Sequence, residues 1–200
     1  ADIPARLMPD PAVMVAELFG ERIRRRSRLG AVAALRRRFA RGYLAVQFGA
    51  EFADDATLAA LAGELARVAA ARGLGIVLFR AGAAPWHDDP ASLQRVAARL
   101  PAHRVQVFAS LSVWDLCALV ASSRGYCGSS LHGRIVALAH ALPRASLLAP
   151  QAAGGACKVG AFAQTWEGEF AASCVEAEAV GPALRAALAW PADALWDLAT

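Results

Sequence analysis

The stretch that decides the fold lies at residues 124–148 and reads RGYCGSSLHGRIVALAHALPRASLL. A short apolar run at 124–127 is followed by small residues, and apolar residues then recur at helical spacing over 131–142. Pro143 ends this helix because proline cannot donate the backbone hydrogen bond that would continue it. A further apolar run follows at 145–148, so the stretch predicts a strand, a tight turn, a helix and another strand.

Strands and helices are predicted to alternate along most of the chain. The predicted elements upstream of this stretch are strands at 43–48, 75–79 and 105–108 and helices that begin near Asp54, Ser92 and Ser112. The strands are short and continuously apolar, which is typical of a sheet that is covered on both faces. We therefore predict an α/β domain with a doubly wound, mostly parallel, Rossmann-like sheet, in which ligands bind where strands end and helices begin.

Three regions are predicted along the chain. Residues 1–41 contain two apolar segments with helical spacing and are predicted to form a helical connector, residues 42–180 the α/β domain, and residues 181–200 a helical tail. The sequence does not begin with Met, and its first residues lack the continuous apolar core of a secretion signal. We therefore expect a fragment of a longer protein, preceded by a domain that this sequence lacks.

The composition excludes a disordered chain and a membrane-spanning segment. Hydrophobic residues make up 57% of the 200 residues and charged residues 19%, whereas disordered chains are polar. The longest apolar stretch, 135–143, is far shorter than the roughly 20 residues that a spanning helix needs. The four cysteines form no CxxC pair, so we expect free thiols in a reducing cytoplasm and no metal centre, with a zinc site as the weaker alternative.

Nine of the 21 basic residues crowd into positions 22–41, in a chain of net charge +4. They are Arg22, Arg24, Arg25, Arg26, Arg28, Arg36, Arg37, Arg38 and Arg41. A nucleic-acid surface is one interpretation, but few aromatic residues interleave with these arginines. We favour a solvated helical face or a surface that meets a further domain, and we expect no nucleic-acid partner. Attraction to an anionic membrane surface is the alternative, at the inner face of the membrane.

The turn between the fourth predicted strand and its helix carries the strongest chemical signal. Ser129 or Ser130 can cap the helix, so that its first backbone N–H groups face outward and favour a phosphate or carboxylate. His132 falls in the first helical turn beside this anion, where a histidine can act as general acid or base near neutral pH. Gly133 would leave room for the ligand. The competing interpretation is a capped helix with a surface histidine.

The turn after the second predicted strand also carries polar residues. Arg80 could bind a carboxylate or phosphate in a bidentate manner, and Trp86 could stack on a sugar ring beside His87. Asp88 and Asp89 are predicted to cap the next helix, with a general base or a metal ligand as less favoured roles.

Two other polar positions fall near the same predicted edge of the sheet. Gln47 and Glu51 flank the end of the first strand, where loop positions in solvent are the favoured interpretation. Lys158 is the only lysine of the chain and follows Gly154 and Gly155, just beyond the fifth strand. Its ammonium group could reach a phosphate at this edge, although a surface lysine is the simpler interpretation.

A helix, a short strand, the turn 129–133 and a helix that ends at Pro143 follow one another in this sequence. This order resembles the hallmark of the polysaccharide pyruvyl transferase family, which reads S-R-L-H-G-x-x-x-A before a helix and a proline turn. His132 coincides with the hallmark histidine, and Lys158 with a lysine that follows further along the chain. The resemblance is strongest over residues 112–165.

One position departs from the hallmark. The family has arginine where this sequence has Ser130, and the resemblance implies that this arginine meets the carboxylate or phosphate of the donor. Arg134, one helical turn later, or Arg80, across the sheet edge, could take over that role.

The resemblance implies a two-domain enzyme of the GT-B type, of which this chain supplies the C-terminal, donor-binding half. Such enzymes transfer the pyruvyl group of phosphoenolpyruvate to a sugar hydroxyl of a polysaccharide or lipid-linked oligosaccharide, in exopolysaccharide and cell-envelope glycan biosynthesis, and need no cofactor. A further N-terminal domain would complete the sugar site. The implied roles are catalysis for His132 and Lys158, donor binding for Ser129, Ser130, Gly133, Arg134 and Arg80, and acceptor binding for His87, Trp86 and Gln47.

Three other functions stay open at this point. A sugar-nucleotide glycosyltransferase of similar fold would place a diphosphate at the same helix and use a carboxylate such as Glu167 or Glu169 for the ribose. The change at Ser130 is also compatible with a non-catalytic glycan- or ligand-binding domain. Nucleic-acid binding through the arginine cluster is the third.

Overall fold

The computed structural model describes residues 6–82, 88–150, 157–168 and 174–199. Five strands within these ranges form one sheet, in which every neighbouring pair is parallel and the order is β3-β2-β1-β4-β5. The strands are β1 (Tyr43–Gln47), β2 (Gly75–Leu78), β3 (Val105–Val107), β4 (Gly125–Gly128) and β5 (Arg144–Ser146). The order reverses at β1, so a crevice is expected between the carboxyl ends of β1 and β4.

Helices connect these strands and cover the sheet. They are α1 (Val15–Ser27), α2 (Gly30–Arg38), α3 (Asp55–Arg72), α4 (Pro90–Ala98), α5 (Val113–Ala121), α6 (Leu131–Ala139), α7 (Lys158–Trp166), α8 (Val180–Ala187) and α9 (Ala192–Asp197). The sequence did not indicate α7, and the predicted tail helix is two helices. The helix predicted to reach residue 142 ends at Ala139, because Ala141 adopts a left-handed backbone conformation with φ 52°. None of the helices in the described part of the chain has the length and apolarity needed to span a bilayer.

Both faces of the sheet are buried, as the continuously apolar strands predict. Leu44 and Val46 of β1 pack into a core that includes side chains of α3, α4 and α8. Tyr43 and Ala45, which alternate with them, pack into a second core on the other face. The prediction of a doubly wound parallel sheet is therefore confirmed.

The second core is built largely by the segment that precedes the sheet. Ile23 of α1 and Val32 and Leu35 of α2 are almost completely buried there. Their spacing along each helix turns one face toward the sheet, and the arginines between them stay exposed. Residues 15–38, which were predicted as part of a connector, thus form a layer of the folded domain.

A buried ionic cluster joins α6, β5 and the end of α7. Glu167 accepts hydrogen bonds from Arg134 at 2.7 and 2.8 Å and from Arg144 at 2.9 Å. Arg134 also donates to the Ser146 hydroxyl at 2.8 Å. All three charged side chains are excluded from solvent. Because burying ions is costly unless each finds partners, this cluster ties the three elements together.

Candidate active site

The candidate active site is a pocket at the carboxyl edge of the sheet, beyond the ends of the paired strands β1 and β4. Its volume is about 430 Å³. The pocket thus occupies the crevice expected from the strand order. It is lined by Gln47, Gly49, Glu51, Ala81, Gly82, Asp88, Ser129, Ser130, Leu131, His132 and Lys158.

The start of α6 forms one wall of the pocket. The Ser130 hydroxyl accepts a hydrogen bond from the Gly133 N–H at 3.2 Å, so Ser130 is the cap of this helix. The N–H groups of Leu131 and His132 lie in the first turn, where the α-helix supplies no backbone acceptor. Since both residues line the pocket, the positive end of the helix dipole is available to an anionic ligand.

His132 projects from this turn and keeps 72% of its side chain exposed. Its Nε2 atom lies 3.5 Å from a carboxylate oxygen of Asp10. The other oxygen of Asp10 accepts a hydrogen bond from the Ala12 N–H at 2.9 Å and caps the short 3-10 helix at Pro11–Met14. Sequence spacing predicts only the capping role, because 122 positions separate Asp10 from His132 and nothing local joins them.

Gln47 organises the pocket floor. It is 3% exposed, donates to Asp88 at 2.8 Å and accepts from the Ser130 N–H at 2.9 Å. The interpretation of Gln47 as a solvent-exposed loop residue is therefore wrong: it ends a central strand, and its amide connects β1 to two neighbouring turns. Its polar atoms are occupied by the protein, which leaves it little capacity to bind an acceptor directly.

The two aspartates after β2 have different roles. Asp88 is buried and accepts hydrogen bonds from the Ala81 and Gly82 N–H groups at 2.6 and 3.0 Å, which closes the turn after β2. Asp89 caps α4 through the Ser92 hydroxyl at 2.6 Å and two backbone N–H groups, and these bonds lower the pKa of its carboxyl group. The predicted cap is thus Asp89. The oxygens of Asp88 are engaged by the protein, which argues against a base or a metal ligand there.

Gly133 makes room for a side chain of the protein. A Cβ atom at this position would overlap the ring and hydroxyl of Tyr126, which is fully buried. The Tyr126 hydroxyl donates to the Ser130 carbonyl at 3.2 Å, and burial raises the pKa of this phenol above its usual value. The prediction that Gly133 admits a ligand is therefore wrong. The sequence does not indicate this role for Tyr126, because a tyrosine in a strand has no distinguishing pattern.

Arg134 does not reach the pocket. Its side chain points inward and is engaged by Glu167 and Ser146. The reason is helical periodicity, because the position after Gly133 shares the inner face of α6 with Ile135 and Leu138. Arg134 cannot replace the family's arginine, and the prediction of an anion contact there is wrong.

Lys158 enters the pocket from α7. It is the first residue of that helix, is exposed, and lines the same space as Ser129, Ser130 and His132. The preceding Cys157 caps α7, with its sulfur accepting from the Gly160 N–H at 3.2 Å. This sulfur also lies 3.0 Å from that of Cys174, and all four cysteines are free thiols.

The other residues singled out in the sequence differ in where the structure places them. Arg80 is partly exposed just after β2 but is not part of the pocket lining. Trp86 and His87 lie outside the described residues, so their predicted roles stay predictions. Glu51, by contrast, does line the pocket, with its carboxylate folded over Gly49. Across the described ranges, no group of three or more histidine, cysteine or acidic side chains could hold a metal ion.

Sequence comparison identifies the family. The model of the family described as polysaccharide pyruvyl transferase matches residues 1–147. The chain belongs to the polysaccharide pyruvyl transferase family. The matched segment includes β4, the capped turn and His132, and it ends before Lys158. The assignment of Lys158 therefore depends on its place in the pocket. Among curated proteins, none matches the chain in sequence.

Solved structures show what this chain resembles in fold. An α,α-trehalose-phosphate synthase (UDP-forming) from Burkholderia xenovorans, solved with glucose-6-phosphate, aligns with a TM-score of 0.59 and 12% identity over 98% of this chain and 46% of its own. The α,α-trehalose 6-phosphate synthase from Burkholderia multivorans gives 0.58 and 14% over 98% and 44%. The calicheamicin glycosyltransferase CalG4 gives 0.50 and 15% over 78% and 37%. The fold is a Rossmann-like domain of the GT-B type, and the chain spans less than half of each of these structures.

Proposed function

We propose that the full-length protein transfers the pyruvyl group of phosphoenolpyruvate to a sugar hydroxyl, with His132 as general acid and base. One observation carries this proposal. In a chain of the pyruvyl transferase family, the hallmark histidine, the only lysine and the capped start of α6 line one pocket at the carboxyl edge of the sheet.

The electrostatics of the pocket suit this donor. Phosphoenolpyruvate carries a phosphate and a carboxylate close together. The N–H groups at the start of α6 favour one anionic group, and the ammonium of Lys158 favours the other as a point charge. Ser129 also lines the pocket, and Ser130 stands in place of the family's arginine with a hydroxyl that caps α6. Anion binding here therefore depends on the helix and Lys158.

The reaction requires proton transfers, and we assign these transfers to His132. A proton added to the methylene carbon of the donor turns it into a methyl group and makes C2 electrophilic. Two hydroxyl oxygens of the sugar bond to C2, and the bond from C2 to the phosphate oxygen breaks. The two hydroxyl groups lose one proton each. One proton replaces the proton added to the methylene carbon, and the other leaves on the phosphate as hydrogen phosphate. A histidine that gives and takes a proton at this point contributes typically 10²- to 10⁴-fold in rate.

The acceptor enters from the open side of the pocket. His132 is largely exposed to solvent. Because the reaction must exclude water, the pocket needs a cover over His132. A further part of the full-length protein supplies this cover together with the sugar site, as the second half does in a two-domain fold. The acceptor is a sugar of a polysaccharide or lipid-linked oligosaccharide, and its hydroxyl groups receive the pyruvyl group. The reaction belongs to cell-envelope glycan synthesis in the cytoplasm.

Glycosyl transfer from a nucleotide sugar is the less favoured alternative. The carboxylate considered for its ribose, Glu167, is buried between two arginines and does not face the pocket. Glu169 lies outside the described residues.

The test is turnover of the full-length enzyme, followed by ³¹P NMR of phosphate release and ¹H NMR of the ketal methyl group. His132→Ala should lower kcat at least 100-fold, in line with the usual contribution of a general acid or base. His103→Ala, a matched change at an exposed histidine elsewhere, should leave kcat within about twofold. Wild-type turnover by the His132 variant would refute its role. Binding of phosphoenolpyruvate without turnover by the wild type would instead indicate a non-catalytic domain.

A further inference from the structure

A second cavity lies at the opposite, amino edge of the sheet. This groove, which we call the arginine groove, has a volume of about 870 Å³ and passes the start of β1 at Gly42 and Tyr43. Its charged and hydroxyl side chains include Arg24, Arg28, Arg36, Arg37, Ser123 and Arg124. A strand of five residues separates it from the active-site pocket, which is roughly 15 Å at the usual rise per residue. The proposed transfer reaction does not use it.

The positive charge of the groove is not neutralised by the protein. None of its lining residues is acidic, and within the described ranges none of its five arginines belongs to an ion pair. The nearby Arg26, by comparison, is paired with Asp115. Helices α1, α2 and α5 end here, and each end carries about half a negative charge. Five guanidinium groups therefore exceed what the three helix ends can offset.

A buried hydroxyl in the groove wall lacks a partner. Ser123 is 6% exposed, and its Oγ atom has no hydrogen-bond partner among the described residues. Its neighbour Tyr43 is satisfied, since its hydroxyl donates to the Leu119 carbonyl at 2.7 Å. Because buried hydroxyl groups in native proteins are nearly always paired, the Ser123 hydroxyl in the wall of this groove is available as a donor to a bound anion or a water.

The backbone also fixes one arginine along the groove. Gly42 has φ 100°, a conformation that favours glycine, and the Arg124 side chain occupies the space that a Cβ atom would fill. Arg124 is contributed by the turn before β4, Arg24 and Arg28 come from α1 and its C-cap, and Arg36 and Arg37 come from α2. Convergence from three elements distinguishes this arrangement from a charged face on a single helix.

We propose that the arginine groove binds a phosphate-bearing anion with two or more negative charges. Guanidinium groups bind phosphate oxygens in a bidentate fork, and several together favour multiply charged phosphates over single carboxylates. The groove is larger than one phosphate, which leaves room for a di- or triphosphate chain or for a phospholipid headgroup. Both sources present the same chemistry to the arginines, and the experiment separates them.

The test measures two kinds of binding by the full-length protein at physiological ionic strength. Inorganic tripolyphosphate is titrated by calorimetry, and co-flotation is measured with phosphatidylcholine vesicles that contain cardiolipin, whose headgroup carries two phosphates, against vesicles of phosphatidylcholine alone. The double variant Arg36→Gln/Arg37→Gln should weaken binding at least tenfold in whichever arm is positive. The matched double variant Arg67→Gln/Arg72→Gln on α3 removes the same charge and should change it less than twofold.

Each binding result either supports or overturns the proposed anion site in the arginine groove. Binding of tripolyphosphate alone supports a soluble ligand, binding of the anionic vesicles alone supports a lipid headgroup, and both support the shared phosphate chemistry. Failure in both arms, or an equal loss in the α3 control, overturns it. Ser123→Ala supplies an independent readout: affinity should fall two- to fivefold with no loss of melting temperature. A lower melting temperature with unchanged affinity would overturn the role assigned to this hydroxyl.

Discussion

The two edges of the sheet use their polar side chains in different ways. At the carboxyl edge, Gln47, Asp88 and Ser130 bond to one another or to backbone groups of adjoining turns. The side chains of His132 and Lys158 line the pocket beside them. At the amino edge, five arginines face a groove without acidic partners in the described residues. The first arrangement fixes positions for chemistry, and the second creates a positive field.

The largest effect is expected when the buried ionic cluster near the carboxyl edge is disrupted. Glu167→Gln removes the carboxylate that Arg134 and Arg144 share, so we expect the free energy of unfolding to fall by about 3–5 kcal/mol. Urea denaturation of the full-length protein measures it. The exposed Glu178→Gln is the matched control and should change stability by less than about 0.5 kcal/mol. Equal behaviour of the two variants would contradict the structural role of the cluster.

A smaller effect is expected at the pocket floor. Gln47→Leu leaves the buried Asp88 carboxylate and the Ser130 N–H short of one partner each. We expect the free energy of unfolding to fall by about 1–3 kcal/mol in total, because Asp88 keeps its bonds to the Ala81 and Gly82 N–H groups. Turnover should fall as well, because the turn that carries His132 loses its tie to β1. Gln94→Leu on the exposed face of α4 is the control. Unchanged stability and kcat in the Gln47 variant would show that this amide does not hold the site.

Two glycines offer a comparable test of packing. Gly133→Ala places a methyl group against the Tyr126 ring, and such overpacking should cost about 1–3 kcal/mol. Gly63→Ala on α3 meets no atom closer than 3.7 Å, so there the better helix propensity of alanine should stabilise by about 0.5–1 kcal/mol. Thermal denaturation of both variants checks the difference in sign. If both alanine substitutions lowered the melting temperature, the difference in space between Gly133 and Gly63 would be contradicted.

The smallest effect is expected at the amino edge. Arg28→Gln and Arg37→Gln remove exposed charges that have no partner within the described ranges, so each should change the free energy of unfolding by less than about 0.5 kcal/mol. Urea denaturation at low and at high salt measures this. Because the arginines repel one another, any change should be a gain that salt removes. A salt-independent loss would reveal a structural partner for these residues.

Much of the fold follows from local patterns. The continuously apolar strands and the caps at Asp54 and Asp89 predict the order of the elements, because these signals act within one turn or strand. The helix after the capped turn was also predicted, from the spacing of its apolar residues. In contrast, α7 was not predicted, although it carries Lys158 into the pocket.

The site was predictable in outline and not in detail. Sequence position alone cannot show that Arg134 turns inward to Glu167, because the partner lies 33 residues away. The approach of Asp10 to His132 and of Arg124 to the arginines of α1 and α2 is likewise created by the chain's long-range folding. The sequence alone also cannot show whether a glycine such as Gly133 leaves space for a ligand or for a tyrosine ring.

Donor binding tests the central claim most directly. Ligand-observed NMR of the full-length protein would be recorded with phosphoenolpyruvate and, separately, with UDP-sugars, for the wild type, His132→Ala, Lys158→Ala and the control His103→Ala. We expect selective binding of phosphoenolpyruvate that both pocket variants weaken and the control leaves unchanged. Binding of UDP-sugars alone, or binding of phosphoenolpyruvate that neither pocket variant weakens, would contradict it.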